Sequence, residues 1–321
     1  SVEFLEESLK LRLRSDVPIS FCLSGGVDSS SLVSLCYKKF NIKPKCYSIV
    51  DTDNRYNEKD KTDILKRDIN CNIKYINLKK EKKDSFFENL KKLIDYREYP
   101  ISTISYYIHS KISNSSKMDG NKVIFSGTGA DEIFTGYYDH FLLFLNEIKH
   151  KKNFNTELGN WRKFIKPFVR NTHLKNENLF YEKPKFRDHI YYDKRFVKRF
   201  MKSANVINFS EKNYVSNKLK NRMLNELFHE SVPVILEEDD SNSMYNSIEN
   251  RSPFLSKKLV NYCLSINKSN YIKNGYSKNI LRSSMKGVLN DNIRLNRRKI
   301  GFNSNLKSIS NVNYNFLYSF L

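Results

Sequence analysis

The sequence predicts an α/β protein with a parallel sheet, helices on both faces of that sheet, and a mainly helical lobe after it. Short apolar runs alternate with helical patterns through the first 140 residues, as in β–α–β units. Two of these runs, ending near residues 23 and 125, lead directly into loops of small residues. After residue 141 the strand signals fade. We therefore divide the chain into an α/β lobe, 1–140, and a helical lobe, 141–321.

The predicted elements follow from the spacing of apolar residues. In the first helix, Val2, Leu5, Leu9 and Leu13 recur at helical spacing over residues 2–14. The next elements are strand 18–23, helix 29–40, strand 45–50, helix 58–69, strand 73–78, helices 84–95 and 101–113, and strand 122–125. Later helices are predicted at 141–150, 193–203, 213–229 and 256–265, and the stretch 151–192 gives no clear signal.

Composition narrows the class of protein. The 321 residues are 39% hydrophobic, which indicates a folded chain, and no apolar run approaches the length of a membrane span. The net charge of +21 is spread along the chain rather than gathered in one block, which favours a solvated surface over a nucleic-acid interface. Five cysteines without a C-x-x-C pair predict buried, reduced thiols and a cytoplasmic protein.

The loop at residues 24–29, SGGVDS, has the layout of a phosphate site. Its glycines let the backbone approach an anion, and the first N–H groups of the following helix point toward that anion. Ser24 and Ser29 add hydroxyl donors, and Asp28 can hold a divalent cation that bridges phosphate oxygens. A Walker loop and a dinucleotide fingerprint are excluded, because neither glycine pattern occurs in this loop. The alternative is an ordinary strand–helix turn.

The segment 126–137, SGTGADEIFTGY, repeats this arrangement after the fourth predicted strand. Asp131 would give the metal a second carboxylate, which is a common magnesium arrangement on phosphates. The alternative is that Asp131 caps the following helix, and the two roles are compatible. Because both loops follow parallel strands, we expect them to open at the same edge of the sheet.

The first loop resembles the PP-loop of the ATP pyrophosphatase superfamily. Four blocks together resemble the synthetase domain of the glutamine-dependent asparagine synthetase family. The family patterns S-G-G-[LV]-D-S-S and S-G-E-G-[AS]-D-E-[LV]-F-G-G-Y are similar to the two loops. The family pattern D-R-x-S-M…S-x-E-x-R-x-P-F-L is similar to residues 240–255. The family pattern R-x-K-x-G-F is similar to residues 297–302, and a K-N-I-L-R segment precedes these at residues 278–282.

This resemblance implies a fold like that of the adenine nucleotide α-hydrolases and an amide-forming ligase that uses ATP and Mg²⁺. A carboxylate attacks the α-phosphorus of ATP, pyrophosphate leaves, and ammonia then displaces AMP. The resemblance implies that pyrophosphate is bound by Ser24, Gly25, Gly26, Asp28 and Ser29, and that magnesium is bound by Asp28 and Asp131. It implies that Lys299 stabilises the transition state of adenylation. It also implies nucleotide contacts at Leu23, Ile49, Ser126 and Gly127, and acceptor contacts at Thr128, Glu249 and Arg251. The alternatives are a solvated lysine at Lys299 and a structural salt bridge between Glu249 and Arg251.

Departures from the family pattern concern the acceptor. Thr128 replaces a family glutamate that faces the acceptor and the attacking amine, and Ser241, Ser256 and Thr135 replace an arginine, an aspartate and a glycine. L-Aspartate is the default acceptor on family frequency. The departure at Thr128 favours another carboxylate, such as a uronic acid in surface-polysaccharide biosynthesis.

The expected partners are a small carboxylate and ammonia, with no membrane. The family's N-terminal glutaminase domain is absent from these 321 residues, so we expect another domain or subunit to supply ammonia. Two other classes stay open. The net charge would suit a PP-loop enzyme that modifies tRNA, although the blocks at 126–137 and 247–255 oppose it. A non-catalytic binding module is opposed by the presence of Asp28, Asp131 and Lys299.

Overall fold

A five-stranded parallel sheet forms the centre of the computed structural model, which describes residues 2–51, 53, 56–78, 83–99, 101, 103–187 and 210–299. The strands are β1 (Ile19–Cys22), β2 (Lys45–Val50), β3 (Asn72–Asn77), β4 (Val123–Phe125) and β5 (Glu249–Arg251). Their order is β3-β2-β1-β4-β5, and every neighbouring pair is parallel. The predicted α/β class is confirmed, and the chain reverses its winding direction between β1 and β4.

Helices precede, connect and follow these strands. Those of the first part are α1 (Val2–Arg12), α2 (Val27–Phe40), α3 (Lys59–Ile69), α4 (Lys83–Arg97), α5 (Ile104–Met118) and α6 (Ala130–Phe134). The later ones are α7 (Tyr138–Ile148), α8 (Phe154–Phe164), α9 (Leu179–Glu182), α10 (Lys218–Phe228), α11 (Ser231–Tyr245), α12 (Lys257–Ser265), α13 (Asn279–Ser284) and α14 (Asp291–Arg294). Most predicted helices are confirmed to within a few residues. The helix predicted at 193–203 lies outside the described residues.

Successive side chains of the central strands pack on opposite faces of the sheet, as strand geometry requires. Phe21 and Phe125 are neighbours in register and stack with ring centroids 5.0 Å apart, in the core cluster that includes α1, α2 and α12. Tyr47 and Ile124 lie on the other face, where Ile112 of α5 packs against them. Helices therefore cover both faces, as predicted.

The strand β5 and the helix α11, which lie in and before the sequence block at residues 240–255, were not predicted. β5 consists of three polar residues at the sheet edge, so it has no apolar alternation that would reveal a strand. α11 carries Pro233 and an acidic run at 237–240, which interrupt a helical pattern. The proline is tolerated because it lies in the first turn, where a backbone N–H has no partner within the helix.

A second cluster of buried apolar side chains lies beyond β4. It joins α7, α8, α9 and α10 through residues that include Phe144, Trp161, Phe180 and Met223. The division of the chain at residues 140 and 141 nevertheless stays a prediction. None of the helices in the described part of the chain is both long and apolar enough to cross a bilayer.

Candidate active site

The loops after β1 and β4 line one cavity with a volume of about 380 Å³ at the carboxyl edge of the sheet. Because β1 and β4 are adjacent parallel strands, their following loops meet where the winding direction reverses. α5 and α11 supply another wall, and the segments around Lys278 and Lys299 also line the cavity. The two sequence motifs are therefore brought together as expected.

The SGGVDS loop folds tightly into the start of α2. Gly25 has φ +78°, and a Cβ there would lie 3.1 Å from Cβ of Lys61, so a side chain would be both strained and crowded. The hydroxyls of Ser24 and Ser29 lie 3.1 Å apart. Gly26 is the N-cap of α2 and provides no side-chain cap, so the first turn keeps N–H groups that can bind an anion.

Two lysines and two aspartates form a cluster beside this loop. Lys278 Nζ contacts Asp28 Oδ2 and lies 2.6 Å from Asp131 Oδ1. Lys299 Nζ lies 2.8 Å from the same Asp131 oxygen, donates to the carbonyl of Gly136 at 3.1 Å, and stands 4.4 Å from the ring centroid of Tyr137. The residues predicted to bind metal and stabilise the transition state thus lie together. Lys278 joins them without having been predicted.

Burial and neighbouring charges together set the pKa values of these groups. Burial raises the pKa of Asp28, the charge of Asp131 adds to that rise, and Lys278 and Lys299 oppose it. For Asp131, burial also acts upward, but the two ammonium groups outweigh it and hold its pKa below the ordinary range. The paired carboxylates raise the pKa of Lys278 against the effect of burial. At neutral pH the cluster therefore holds ionised Asp131 against ionised Lys278.

The carboxylates also fit a divalent cation. Oδ1 of Asp28 is buried and accepts no hydrogen bond from any residue that the structure describes. Carboxylate oxygens are the ligands that Mg²⁺ prefers, and Asp131 adds a second carboxylate beside it. Gly136 leaves room for this arrangement, since a Cβ at that position would lie 1.5 Å from Asp131 Oδ1.

The other predicted residues fall into two groups. Ser126, Gly127 and Thr128 line the cavity, and the N-cap of α6 is Gly129, which leaves Asp131 in the first turn of that helix. Leu23, Ile49, Glu249 and Arg251 are not among the described cavity residues. Leu23 lies in the main core cluster, and Ile49 packs against a separate cluster on the other face of the sheet, with Tyr47 and Ile124.

Glu249 and Arg251 pair with each other on the edge strand β5. Arg251 Nε lies 2.7 Å from Glu249 Oε1, and the guanidinium also donates to the backbone carbonyls of Arg12 and Arg14. These contacts tie β5 to the end of α1. They match the structural salt bridge that was the alternative interpretation of this pair.

The cavity wall formed by the 126–128 loop, α5 and α11 carries a polar chain that the sequence did not reveal. Ser126 Oγ donates to Thr128 Oγ1 at 3.0 Å, and Thr128 Oγ1 donates to Asp239 Oδ2 at 2.8 Å. The other carboxylate oxygen of Asp239 lies 3.1 Å from Nδ1 of His109. Asp239 lies on helix α11 and His109 lies on helix α5. In the sequence, each looks like an ordinary polar residue on the solvent-exposed face of a helix.

Glu132, which also lines the cavity, provides a pH-sensitive group. It is 2% exposed and accepts a hydrogen bond from the hydroxyl of Tyr137. Burial, aided by the charge of Asp131, raises its pKa to about 7. The folded state therefore binds a proton at a pH where the unfolded chain has already lost it.

This linkage predicts that the free energy of unfolding falls as pH rises from about 4.5 to about 7, by up to about 3 kcal/mol from this group. Glu132→Gln should flatten the dependence in that window, because glutamine is neutral in both states. Urea unfolding at several pH values measures this, with the exposed Glu3→Gln as the matched control. A Glu132→Gln curve parallel to that of the parent protein would contradict the prediction.

A second ionisable cluster lies outside the cavity lining. Asp139, His140 and Glu226 are buried, with candidate ligand atoms within 4.8 Å of one another. His140 Nε2 lies 2.8 Å from Glu226 Oε2, and Asp139 pairs with Arg222. Because each acid already has a basic partner, we assign this cluster to the packing of α7 against α10.

The chain thus has a parallel sheet, with a helix N-terminus that lacks a side-chain cap and a lysine–aspartate cluster at the point where the winding direction reverses. This arrangement is typical of α/β proteins that bind phosphate groups. A family model described as asparagine synthase matches residues 2–314. Since that match covers nearly the whole sequence, the chain belongs to the asparagine synthase family.

Individual relatives cover different shares of the chain. Asparagine synthetase [glutamine-hydrolyzing] 1 of Bacillus subtilis is 24% identical over 92% of this chain and 48% of its own length. Amidase chyE of Penicillium rubens is 28% identical over 41% of this chain and 21% of its own. This chain thus spans about half, or less, of the length of these relatives. Among solved structures, the U34-tRNA thiolase NcsA from Methanococcus maripaludis is 13% identical with 90% and 88% coverage, but its TM-score of 0.31 supports no conclusion.

Proposed function

We propose that this chain is an ATP-dependent carbon–nitrogen ligase that adenylates a carboxylate, releases pyrophosphate and transfers ammonia to the acyl group. The observation that carries this proposal is the cluster beside the phosphate loop in which buried Lys278 and half-buried Lys299 pair with Asp28 and Asp131. Membership of the asparagine synthase family supports the same reaction class.

The phosphate loop would hold the pyrophosphate part of ATP. Gly25 and Gly26 permit close approach of the backbone, the first turn of α2 offers N–H donors, and Ser24 and Ser29 add hydroxyls. Mg²⁺, held by Asp28 and Asp131, would neutralise part of the charge on the phosphate oxygens. Ser126 and Gly127 line the cavity next to this loop, consistent with nucleotide contacts.

Two fixed ammonium groups would stabilise the charge that develops during adenylation. Lys278 is held by both aspartates, while Lys299 is held by Asp131, the carbonyl of Gly136 and the ring of Tyr137. Groups placed before the reaction need no rearrangement as the transition state forms, which is why such sites lower the barrier.

The acceptor wall distinguishes two candidate substrates. L-Aspartate is the default acceptor of the family, and its second carboxylate would be best recognised by a lysine or arginine. The described cavity residues of α5 and α11 contain neither, and instead offer hydroxyl, amide, imidazole and carboxylate groups, namely Ser105, Tyr106, His109, Ser113, Asp239 and Asn242. This wall favours the second candidate, a uronic acid, whose other polar groups are neutral hydroxyls.

Pyrophosphate release from Mg-ATP and ammonium chloride, with a panel of carboxylates, tests the proposal. Ammonium supplies nitrogen directly, so the assay does not depend on a glutaminase. We expect one carboxylate to raise the rate well above that of Asp28→Asn, and aspartate and glucuronate identify the two candidates. Equal rates for the parent and the variant with every carboxylate, despite ATP binding, would overturn the proposal.

A further inference from the structure

We propose that His109, oriented by Asp239, is the base that takes a proton from the nitrogen nucleophile during amide formation. The inference rests on the proposed function and assigns a catalytic and a positioning residue to its second half-reaction. Neither residue belongs to the phosphate loop or to the lysine–aspartate cluster.

Both oxygens of Asp239 are fixed by hydrogen bonds. Oδ1 lies 3.1 Å from Nδ1 of His109, and Oδ2 accepts from the hydroxyl of Thr128 at 2.8 Å. The side chain of Asp239 is 5% exposed, whereas that of His109 is 29% exposed. A carboxylate oxygen accepts and the ring must donate in this hydrogen bond, so the tautomer that fits the contact has its proton on Nδ1 and its lone pair on Nε2. This is the usual arrangement of a base held by an orienting acid.

The pair lies next to the part of the cavity where the acyl-adenylate would form. Thr128 follows Gly127, and Gly127 packs so closely on the phosphate loop that a Cβ there would lie 3.3 Å from Cβ of Asp28. Asp239 is therefore bonded to a loop that itself touches a predicted metal ligand. His109, Thr128, Asp239 and Asp28 all line the same cavity.

Ammonia transfer needs such a base. The nitrogen lone pair forms a bond to the acyl carbon, the bond from that carbon to the phosphate oxygen breaks, and AMP leaves with that electron pair. The nitrogen must then lose a proton, which Nε2 of His109 accepts. A threonine hydroxyl at position 128 is too weak a base for this step.

The other titratable groups of this side of the cavity are less suited. Burial, with a contribution from the charge of Asp239, raises the pKa of the Cys22 thiol far above neutrality, so it stays protonated. Glu132 already accepts from the Tyr137 hydroxyl, and Asp131 is paired with two lysines. Tyr106 has a phenol, which is a donor near neutral pH.

The test separates adenylation from nitrogen transfer. In His109→Gln, the maximal rate of acceptor-dependent exchange of pyrophosphate into ATP, measured at saturating acceptor, should stay within about threefold of the parent rate, because loss of an acceptor contact raises the acceptor KM and adenylation does not use this base. Amide formation from ammonia should fall about 100-fold, the scale of general base catalysis. Hydroxylamine is less basic than ammonia and is neutral at pH 7, so hydroxamate formation should fall much less. That nucleophile-dependent ratio is a readout that a purely structural role would not change.

Controls make each outcome decisive. Asp239→Asn should change the ammonia-to-hydroxylamine ratio in the same direction, and the exposed His150→Gln should not change it. His109→Asn serves as a second variant if His109→Gln does not fold. Equal loss with both nucleophiles, or amide formation at the parent rate, would overturn the role of His109 while exchange in the parent protein upheld the proposed function. If the parent protein shows no carboxylate-dependent exchange, the proposed function fails and this inference fails with it.

Discussion

Replacing Lys278 with methionine should lower the free energy of unfolding by about 3 kcal/mol, since removing one partner of a buried ion pair typically costs about 3–5 kcal/mol. The ammonium is 7% exposed and bridges two aspartates. Methionine keeps a similar length but leaves Asp28 without the cation that contacts it directly and Asp131 in contact with Lys299 alone. Urea denaturation measures the change. Mg²⁺ can neutralise part of the negative charge of Asp28 and Asp131 that Lys278 no longer balances. Its addition should therefore raise the free energy of unfolding more in the variant than in the parent.

The matched control for this substitution is Lys91→Met, which removes an exposed lysine from a surface ion pair with Asp95. Such pairs contribute at most about 1 kcal/mol, so the control should change stability little. Similar losses for the two variants would contradict the assignment of Lys278 as the central cation of the cluster.

Asp131→Asn should reduce acceptor-dependent pyrophosphate exchange by about 100- to 1000-fold, the scale seen when one preorganised electrostatic group is removed from an active site. Asparagine keeps the shape of the side chain but removes the charge that holds Lys278 and Lys299. It would also remove an anionic metal ligand. We therefore expect the variant to bind Mg²⁺ more weakly and to have a lower maximal rate.

The control for Asp131→Asn is Asp291→Asn, a change of the same chemistry at an exposed residue that pairs with Arg294. It should leave exchange unchanged. If Asp131→Asn retained more than about a tenth of the parent rate, Asp131 would not have the electrostatic role proposed here.

Local patterns in the sequence were sufficient to predict strands β1 to β4 and the two loops that follow β1 and β4. Strands β1 to β4 carry short apolar runs, and the glycines and acids that follow them are contiguous in sequence. Asp28 and Asp131 could be placed together because parallel strands bring their carboxyl ends to one edge. The part that sequence could predict is therefore the part encoded by neighbouring residues.

The missed features depend on contacts across long stretches of chain. Lys278 meets Asp28 across 250 residues, with its own backbone in the left-handed region at φ 54°. His109 and Asp239 lie on different helices, and each alone is an ordinary polar residue on a helix. Only the packing of α5 against α11 makes them partners, and no local periodicity reports such packing.

The late position of β5 in the chain has a consequence for biosynthesis. β4 ends at Phe125, but the strand that covers its outer edge is completed only at Arg251. During synthesis from the N-terminus, the nascent sheet must therefore keep an open edge while more than a hundred further residues are added, and open edges invite pairing with other chains. The cation that balances the aspartates arrives later still, at residue 278. The balance of charge in the lysine–aspartate cluster and the protection of the sheet edge are thus both acquired near the end of translation of this region.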